Sequence, residues 1–550
     1  MNAMLQKQLY AIGIFLFLVP SIIFLFGVVL LLVNLPIHWV LFPLSVLVAS
    51  ILTFNHVWNK ERFSVKIHAV WISVGMILLM GSIGICNSIY DCSFDGQWYH
   101  QDAVIMLSKG WNPVWDPLIP DNLASGLNAN YINHYPKAPW TIEAIFFLFF
   151  KSIEAGKAIH IILSLALFLI CLVFIRTRIA LSWMLSILLS LFIAGSTITL
   201  GQAFSFYVDG ILFSCFCLFL IFIIEAYYFN ETTSWLLGIN LLFLVNIKFT
   251  GLVYVLVILF FYLGWVLFFQ RNFLLKRFIE LSFIMIIGVV LVGYPTYVRN
   301  TLEKGHPFFP IMGENNEGKS IAEVQYPKDF FSKNRLEKLA AAHSAIPLYT
   351  DHEHGSVPKP LFDFKLIKSS IPYYRNHQPV TMSPFGPFEA ELWLVFIVLL
   401  VLFFIKKQPV EVYLLIAAVF CSMLIQPECW NLRYAPQLLI IIVLILTALL
   451  KQENRLFYYP AIVFLVLFAI NNIIPVWQNW RWVGENNRLL RNELELMRHS
   501  RVKIQSGWMK SFELKLQEYD IKVDRSIDNS LEYVPFNGDA FTGWKHSKQR

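Results

Sequence analysis

The stretch Val70-Trp-Ile-Ser-Val-Gly-Met-Ile-Leu-Leu-Met80-Gly-Ser-Ile-Gly-Ile-Cys-Asn-Ser-Ile89 carries no charge and passes directly into Tyr90-Asp-Cys-Ser-Phe-Asp95-Gly-Gln-Trp-Tyr99-His100-Gln-Asp102. A helix of about 20 apolar residues, rising about 1.5 Å per residue, matches the hydrocarbon core of a bilayer. The acidic and aromatic cluster therefore falls where the chain leaves the membrane. Charge is costly there unless something polar is handled. The pair of segments reads as a membrane helix followed by the catalytic edge of an enzyme, with the remaining chain as its frame.

The rest of the sequence agrees with a membrane frame. Of 550 residues, 57% are hydrophobic and only 14% are charged, against about 25% charged in soluble domains. Mean hydropathy is +0.60. The net charge of +7 then reports topology and gives no reason to expect a nucleic-acid partner. The expected fold is an all-α polytopic membrane protein of about thirteen transmembrane helices, near 11–33, 38–56, 68–89, 157–175, 180–197, 207–228, 234–249, 250–270, 278–297, 391–405, 409–427, 436–450 and 456–474. The apolar run 140–150 is half a span long, which suits a helix lying in the interface or re-entering it.

With the N-terminus inside, the short inner turns collect Lys7, Lys60, Arg62, Lys66, Arg176, Arg178, Arg271, Lys276, Arg277, Lys406, Lys407, Lys451 and Arg455, while the short outer turns hold only Lys248 and Arg433. That asymmetry obeys the positive-inside rule. Three sizeable outer segments remain: about 90–156, about 298–390, and a charged tail from about 475. The first two are too long to be idle connections and are expected to carry juxtamembrane helices. In the tail, 486–497 alternates Leu489, Leu490, Leu494 and Leu496 with charged residues as an amphipathic helix does, so a small α or α/β unit is expected. The seven cysteines show no metal-ligand spacing and read as small buried hydrophobes. Cys92 and Cys429 fall on one side and leave a disulfide open.

Several outer-side residues could carry chemistry. Asp95 reads either as a general base or as a helix N-cap before Gly96, with Gly110 as the stop. On a helix starting there, Tyr99 and Asp102 share its face, and His100 lies a quarter-turn away. His134-Tyr-Pro-Lys137 precedes the short apolar helix. Lys137 could hold a lipid phosphate or simply snorkel. Asp209 opens a span, where a carboxylate also suits the helix dipole. Lys248, Arg299 and Arg433, with Tyr434 beside it, stand isolated at outer span ends. Together they suit a phosphate or pyrophosphate leaving group. Asp351-His-Glu-His354 could bind a divalent metal or be a solvated charged run.

In order along the chain, Asp95-x-x-x-Tyr99-His100, Gly110-Trp-Asn-Pro113, Tyr135-Pro-Lys-Ala-Pro-Trp140, Tyr207-Val-Asp-Gly210, Asn246-Ile-Lys-Phe-Thr-Gly251, Tyr297-Val-Arg-Asn-Thr301 with Gly305-His-Pro307, and Arg433-Tyr434 resemble bacterial integral-membrane glycosyltransferases of the GT-C superfamily. The resemblance covers about 68–474. It implies an inverting transferase that moves a sugar from a polyprenyl-phosphate donor to a glycan, lipid or protein acceptor, in the bacterial inner membrane with its site and C-terminus in the periplasm. It places the catalytic acid at Asp95. Many relatives carry two adjacent acids there, whereas Gly96 follows Asp95, which favours Asp95 alone or with Asp102. Residues 1–67 then form two helices ahead of the usual first one, 68–474 the catalytic module and 475–550 a small outer unit. Trp98, Trp111 and Trp140 are candidates to stack on sugars, and a divalent metal is left open.

Two other classes compete. A transporter or lipid flippase would place its ionisable residues near the mid-membrane and show paired repeats, and neither is evident. A glycopolymer ligase or polymerase on a similar frame would lean on Arg433 and His134 and not on Asp95.

Overall fold

The computed structural model describes residues 3–58, 65–116, 126–229, 234–313, 330–350, 353–374, 384–503, 511–524, 533–536 and 539–546. In chain order the helices are α1 (Ala3–Leu32), α2 (Leu41–Trp58), α3 (Val65–Asn87), α4 (Gln101–Ser108), α5 (Gly126–His134), α6 (Ala138–Phe150), α7 (Ala158–Phe174), α8 (Trp183–Ala194), α9 (Asp209–Phe229), α10 (Ser234–Leu244), α11 (Phe249–Phe269), α12 (Arg271–Ile286), α13 (Arg299–Lys304), α14 (Arg335–Ser344), α15 (Phe364–Ser370), α16 (Glu389–Ile405), α17 (Val410–Leu424), α18 (Gln437–Leu450), α19 (Arg455–Leu496) and α20 (Phe512–Gln517). Sheet is limited to three two-stranded pairs: an antiparallel hairpin of β1 (Ala345–Thr350) and β2 (Glu353–Pro358), a parallel pair of β3 (Arg501–Lys503) and β4 (Lys522–Asp524), and an antiparallel pair of β5 (Tyr533–Phe536) and β6 (Asp539–His546).

The protein is an all-α multi-pass membrane protein. Among the described residues seven helices are long and apolar enough to cross a bilayer, or eight if the bent pair 271–304 is one span. A helix occupies each of the thirteen expected places, but α8, α10, α17 and α18 have only 11 to 15 residues, shorter than a straight span needs. Outward-facing side chains such as Phe260, Phe268, Leu275 and Phe283 are 63–80% exposed, as lipid-facing positions require.

α1, α7 and α9 form the inner layer and are mostly buried, whereas α2, α3 and α11 show most of their apolar window to the outside. α1 packs on α2, α3, α6, α7 and α10, so the N-terminal helices are built into the core. α6, the short apolar helix, is built into the bundle: Ala138 to Phe146 are buried, and it packs against α1, α4 and the turn before α7.

Two departures from regular helix shape the outer face. The expected 278–297 span is bent by 69° at Gly293. Pro295 lacks an N–H there, and a Cβ at Gly293 would lie 2.6 Å from the Tyr297 ring. The second concerns the tail, where the expected last span and the amphipathic helix are one continuous 42-residue helix, α19. At about 1.5 Å per residue it is about 63 Å long, twice a hydrocarbon core, and so projects well beyond the span.

Candidate functional site

The loop after α3 is built on a buried acid that is not Asp95. Asp91 is fully buried. Its Oδ1 accepts from Ser93 N at 2.7 Å, and its Oδ2 accepts from Phe206 N at 3.1 Å. Burial pushes this carboxyl up to about 6, against the pull of Lys157. The same carboxylate explains Gly96, because a Cβ there would sit 1.9 Å from Asp91 Oδ2. A side chain at position 96 would have to displace the Asp91 carboxylate and the Ser93 hydroxyl.

Asp95 does not cap the helix that follows, since its side chain accepts no hydrogen bond from that turn. Its carboxylate turns to Arg433, whose Nη2 donates to Oδ2 at 3.2 Å, and keeps 24% side-chain exposure. Arg433 comes from the turn before α18 and is buried. Its Nε donates to Asp209 Oδ2 at 3.0 Å, and its guanidinium carbon lies 4.3 Å from the centre of the Tyr207 ring. Asp209, the first residue of α9, takes Lys248 Nζ on its other oxygen at 2.6 Å. Gln202 adds a third bond to it at 3.2 Å. The Tyr434 ring lies under both cations, 4.5 Å from Lys248 and 5.5 Å from Arg433. Two carboxylates and two cations thus alternate, and of the two acids Asp95 is the more exposed, at 24% against 1% for Asp209.

The structure brings Asp95, Asp209, Lys248, Arg433 and Tyr434 together, with Tyr99 and His100 close behind. Tyr99 stacks on Tyr131 at 5.0 Å, and burial followed by the Asp95 charge raises its phenol. His100 is buried and accepts from Trp140 Nε1 on Nδ1 at 2.6 Å. Burial lowers it to about 3, so it is neutral.

Four expected residues lie elsewhere. Residues 96–100 form a π-turn, whose longer repeat breaks the i, i+7 alignment, and Asp102 instead accepts from Asn128 Nδ2 at 3.1 Å. His134 bonds Asn300 Oδ1 through Nδ1 at 2.7 Å. Arg299 does not join the other two cations. It bonds Glu303 at 2.8 Å and the carbonyls of Pro113 and Asp116 at 2.9 Å, tying the two outer loops.

Lys137 is buried and donates to the carbonyls of Asn133, at 3.0 Å, and Tyr135. Among the described residues it has no carboxylate partner, and burial followed by the nearby Arg299 charge pulls its amine well down. It borders a small cleft of about 10 Å³, no larger than one water needs, which Phe24, Val28, Leu31, Leu291 and Val292 also line. The Trp140 ring lies 5.2 Å from its amine, between this cleft and His100.

Other expectations are also corrected. Trp98 and Trp140 are buried and present no face to a sugar, whereas Tyr131, Tyr135 and Tyr434 are half-buried. Cys92 and Cys429 are both buried and unbridged. Among the described residues no three His, Cys, Asp or Glu side chains converge as a metal site. The side chains of 351–354 lie outside the described residues. Tyr207, Gln202 and Asp91 were the residues sequence reasoning did not single out. Tyr207 and Asp91 do fall inside quoted motifs, but Gln202 carries no local signal. Comparison of the chain with protein-family models, curated proteins and solved structures finds no match.

Proposed function

We propose that the protein is an inverting glycosyltransferase that moves a sugar from a polyprenyl-phosphate donor to an envelope acceptor. The observation that carries this reading is the partly exposed Asp95 carboxylate, unused as a cap and held by the buried Arg433 at the edge of the ion network. Asp95 takes the proton of an acceptor hydroxyl. The hydroxyl oxygen attacks the anomeric carbon from the face opposite the phosphate, and the carbon–oxygen bond to phosphate breaks with its electron pair. Polyprenyl phosphate leaves and the anomeric centre inverts.

The leaving phosphate is assigned to Lys137, with Arg299 nearby. Lys248 and Arg433 are already balanced by Asp209 and Asp95, while Lys137, among the described residues, meets no carboxylate. Arg433 orients Asp95, Lys248 and Asp209 hold Arg433, and half-buried tyrosines flank the acceptor. We place the protein in a bacterial inner membrane with thirteen crossings and a cytoplasmic N-terminus. Asn487 bonds Tyr90, so an even number of crossings must separate them. The ten helices α7 to α12 and α16 to α19 satisfy this.

The test is sugar transfer from a labelled polyprenyl-phosphate sugar by purified wild type, Asp95→Asn and Asp209→Asn. Asp95→Asn is expected to lose about 10²–10⁴ in kcat while its Tm and donor binding hold. Asp209→Asn strands two cations and is expected to cost about 3–5 kcal/mol of stability. Normal transfer by Asp95→Asn would remove the base assignment and favour a ligase that uses Arg433. Absence of transfer by the wild type with every donor would sink the transferase reading.

A further inference from the structure

The loop that carries Asp95 is gripped from the far end of the chain. Tyr90 N–H donates to Asn487 Oδ1 at 2.6 Å, and Asn487 Nδ2 returns a bond to Tyr90 O at 3.0 Å. One amide side chain thus pairs with this backbone as a neighbouring strand would. Lys515, from α20, is 2% exposed, yet its ammonium reaches Gln97 Oε1 at 2.9 Å and Asp91 O at 3.4 Å. Those two residues flank Asp95. Tyr90 O–H donates to Glu518 at 2.5 Å, and the Tyr90 ring is packed among Leu490, Leu494, Phe512 and Leu516.

The grip is continuous with the opposite side of the site. α19 runs unbroken from its membrane half, packed on α16 and α18, to Asn487, and Arg433 stands at the start of α18. On the way, Asn479 and Trp480 donate to the carbonyls of Gly201 and Leu200, both at 2.7 Å. That turn carries Gln202, a partner of Asp209. α18 and α19, packed on one another, therefore link the segments that hold Arg433, the Asp209 partner and the Asp95 loop.

We propose that the C-terminal unit is a clamp that positions Asp95 against Arg433, with Asn487 and Lys515 as its positioning residues. The proposal rests on the transferase reading only for its catalytic consequence. A carboxylate displaced by about 1 Å from its acceptor loses about 10²-fold in rate, so the clamp acts on turnover and not on donor affinity.

The test is hydrogen exchange of the full-length protein in detergent, without substrate, for wild type, Asn487→Leu and Lys515→Met. Glu518→Gln is a milder third variant, and Arg498→Ala, an exposed residue of the same unit, is the control. Amides of 90–100 are expected to exchange at least about tenfold faster in Asn487→Leu and Lys515→Met, the change one lost charge-assisted or reciprocal hydrogen bond gives. Exchange in α7 and α9 should hold. In an active preparation kcat should fall by about 10²-fold, with donor KM within about twofold. Should either variant misfold, a smaller acceleration over the same amides in Glu518→Gln supports the clamp and its absence overturns it. Unchanged exchange at 90–100 overturns the clamp whatever the activity. Faster exchange with unchanged kcat removes the positioning role. A wild type without transfer sinks the transferase reading and leaves the exchange test of the clamp intact.

Discussion

The two acids of the ion network differ in exposure, and exposure separates their roles. Asp209 is 1% exposed and serves two cations, while Asp95 is 24% exposed and serves one. A buried carboxylate with full pairing is structural by physics, because unpairing it leaves charge in a low dielectric. Burial also sets how the protein answers to acid. His100 and His134 are lowered by desolvation from 6.5 to about 3 and about 4. Between about pH 6.5 and 4 the unfolded chain binds protons at these positions that the folded chain does not, so stability present above 6.5 is lost as pH falls. Asp91, raised by burial to about 6, works in the opposite sense between about 6 and 3.8, as do Glu428 and Glu518, which burial also raises. From pH 7 to pH 5 the Tm of His134→Gln is expected to drop less than that of the wild type. An equal drop in that variant would exclude His134 as a contributor.

At the scale of elements, the outer face depends on where helices are interrupted. The π-turn at 96–100 turns Asp102 away from Asp95, and the bend at Gly293 lays Tyr294–Lys304 across the top of the bundle. α13 is then bound to α5 by one residue. Asn300 Nδ2 donates to the carbonyls of His134 and Phe309 at 3.0 Å, and its Oδ1 receives His134 Nδ1. Asn300→Ala would strand several buried polar groups and is expected to cost about 2–3 kcal/mol. Thermal unfolding of the variant in detergent measures this. A cost near zero would mean that water replaces the amide without loss.

For the whole molecule, the arrangement is a membrane bundle whose two chain ends take different parts. α1 is an inner helix of the bundle, and the C-terminal unit meets the loop after α3 directly through Asn487, Lys515 and Glu518. That contact requires residues 90 and 487 to share a side of the membrane. A tag inserted within 117–125 and a tag after Arg550 are expected to be labelled by an impermeant reagent from the same face of sealed vesicles, and a tag within 59–64 from the other. Labelling of all three from one face would overturn the thirteen-crossing topology.

The sequence by itself determined the membrane class and the places of the helices, and it singled out the charged residues that meet around Arg433. Apolar run length and charge asymmetry are one-dimensional signals, and an isolated Asp209, Lys248 or Arg433 at a span end needs a partner wherever it lies. It did not reveal which partners these were. Asp209 meets Arg433 across 224 residues and Asp95 meets Arg433 across 338, and only the packing of α9, α11 and α18 decides such contacts. The same packing turned Arg299 to Glu303 and the carbonyls of Pro113 and Asp116, and Lys137 to the carbonyls of Asn133 and Tyr135. It also made Asp91 the reason that Gly96 has no side chain. Spacing along a chain orders residues on one helix, and a π-turn or a bend is enough to redirect them. Which charges neutralise one another is settled by distance in three dimensions.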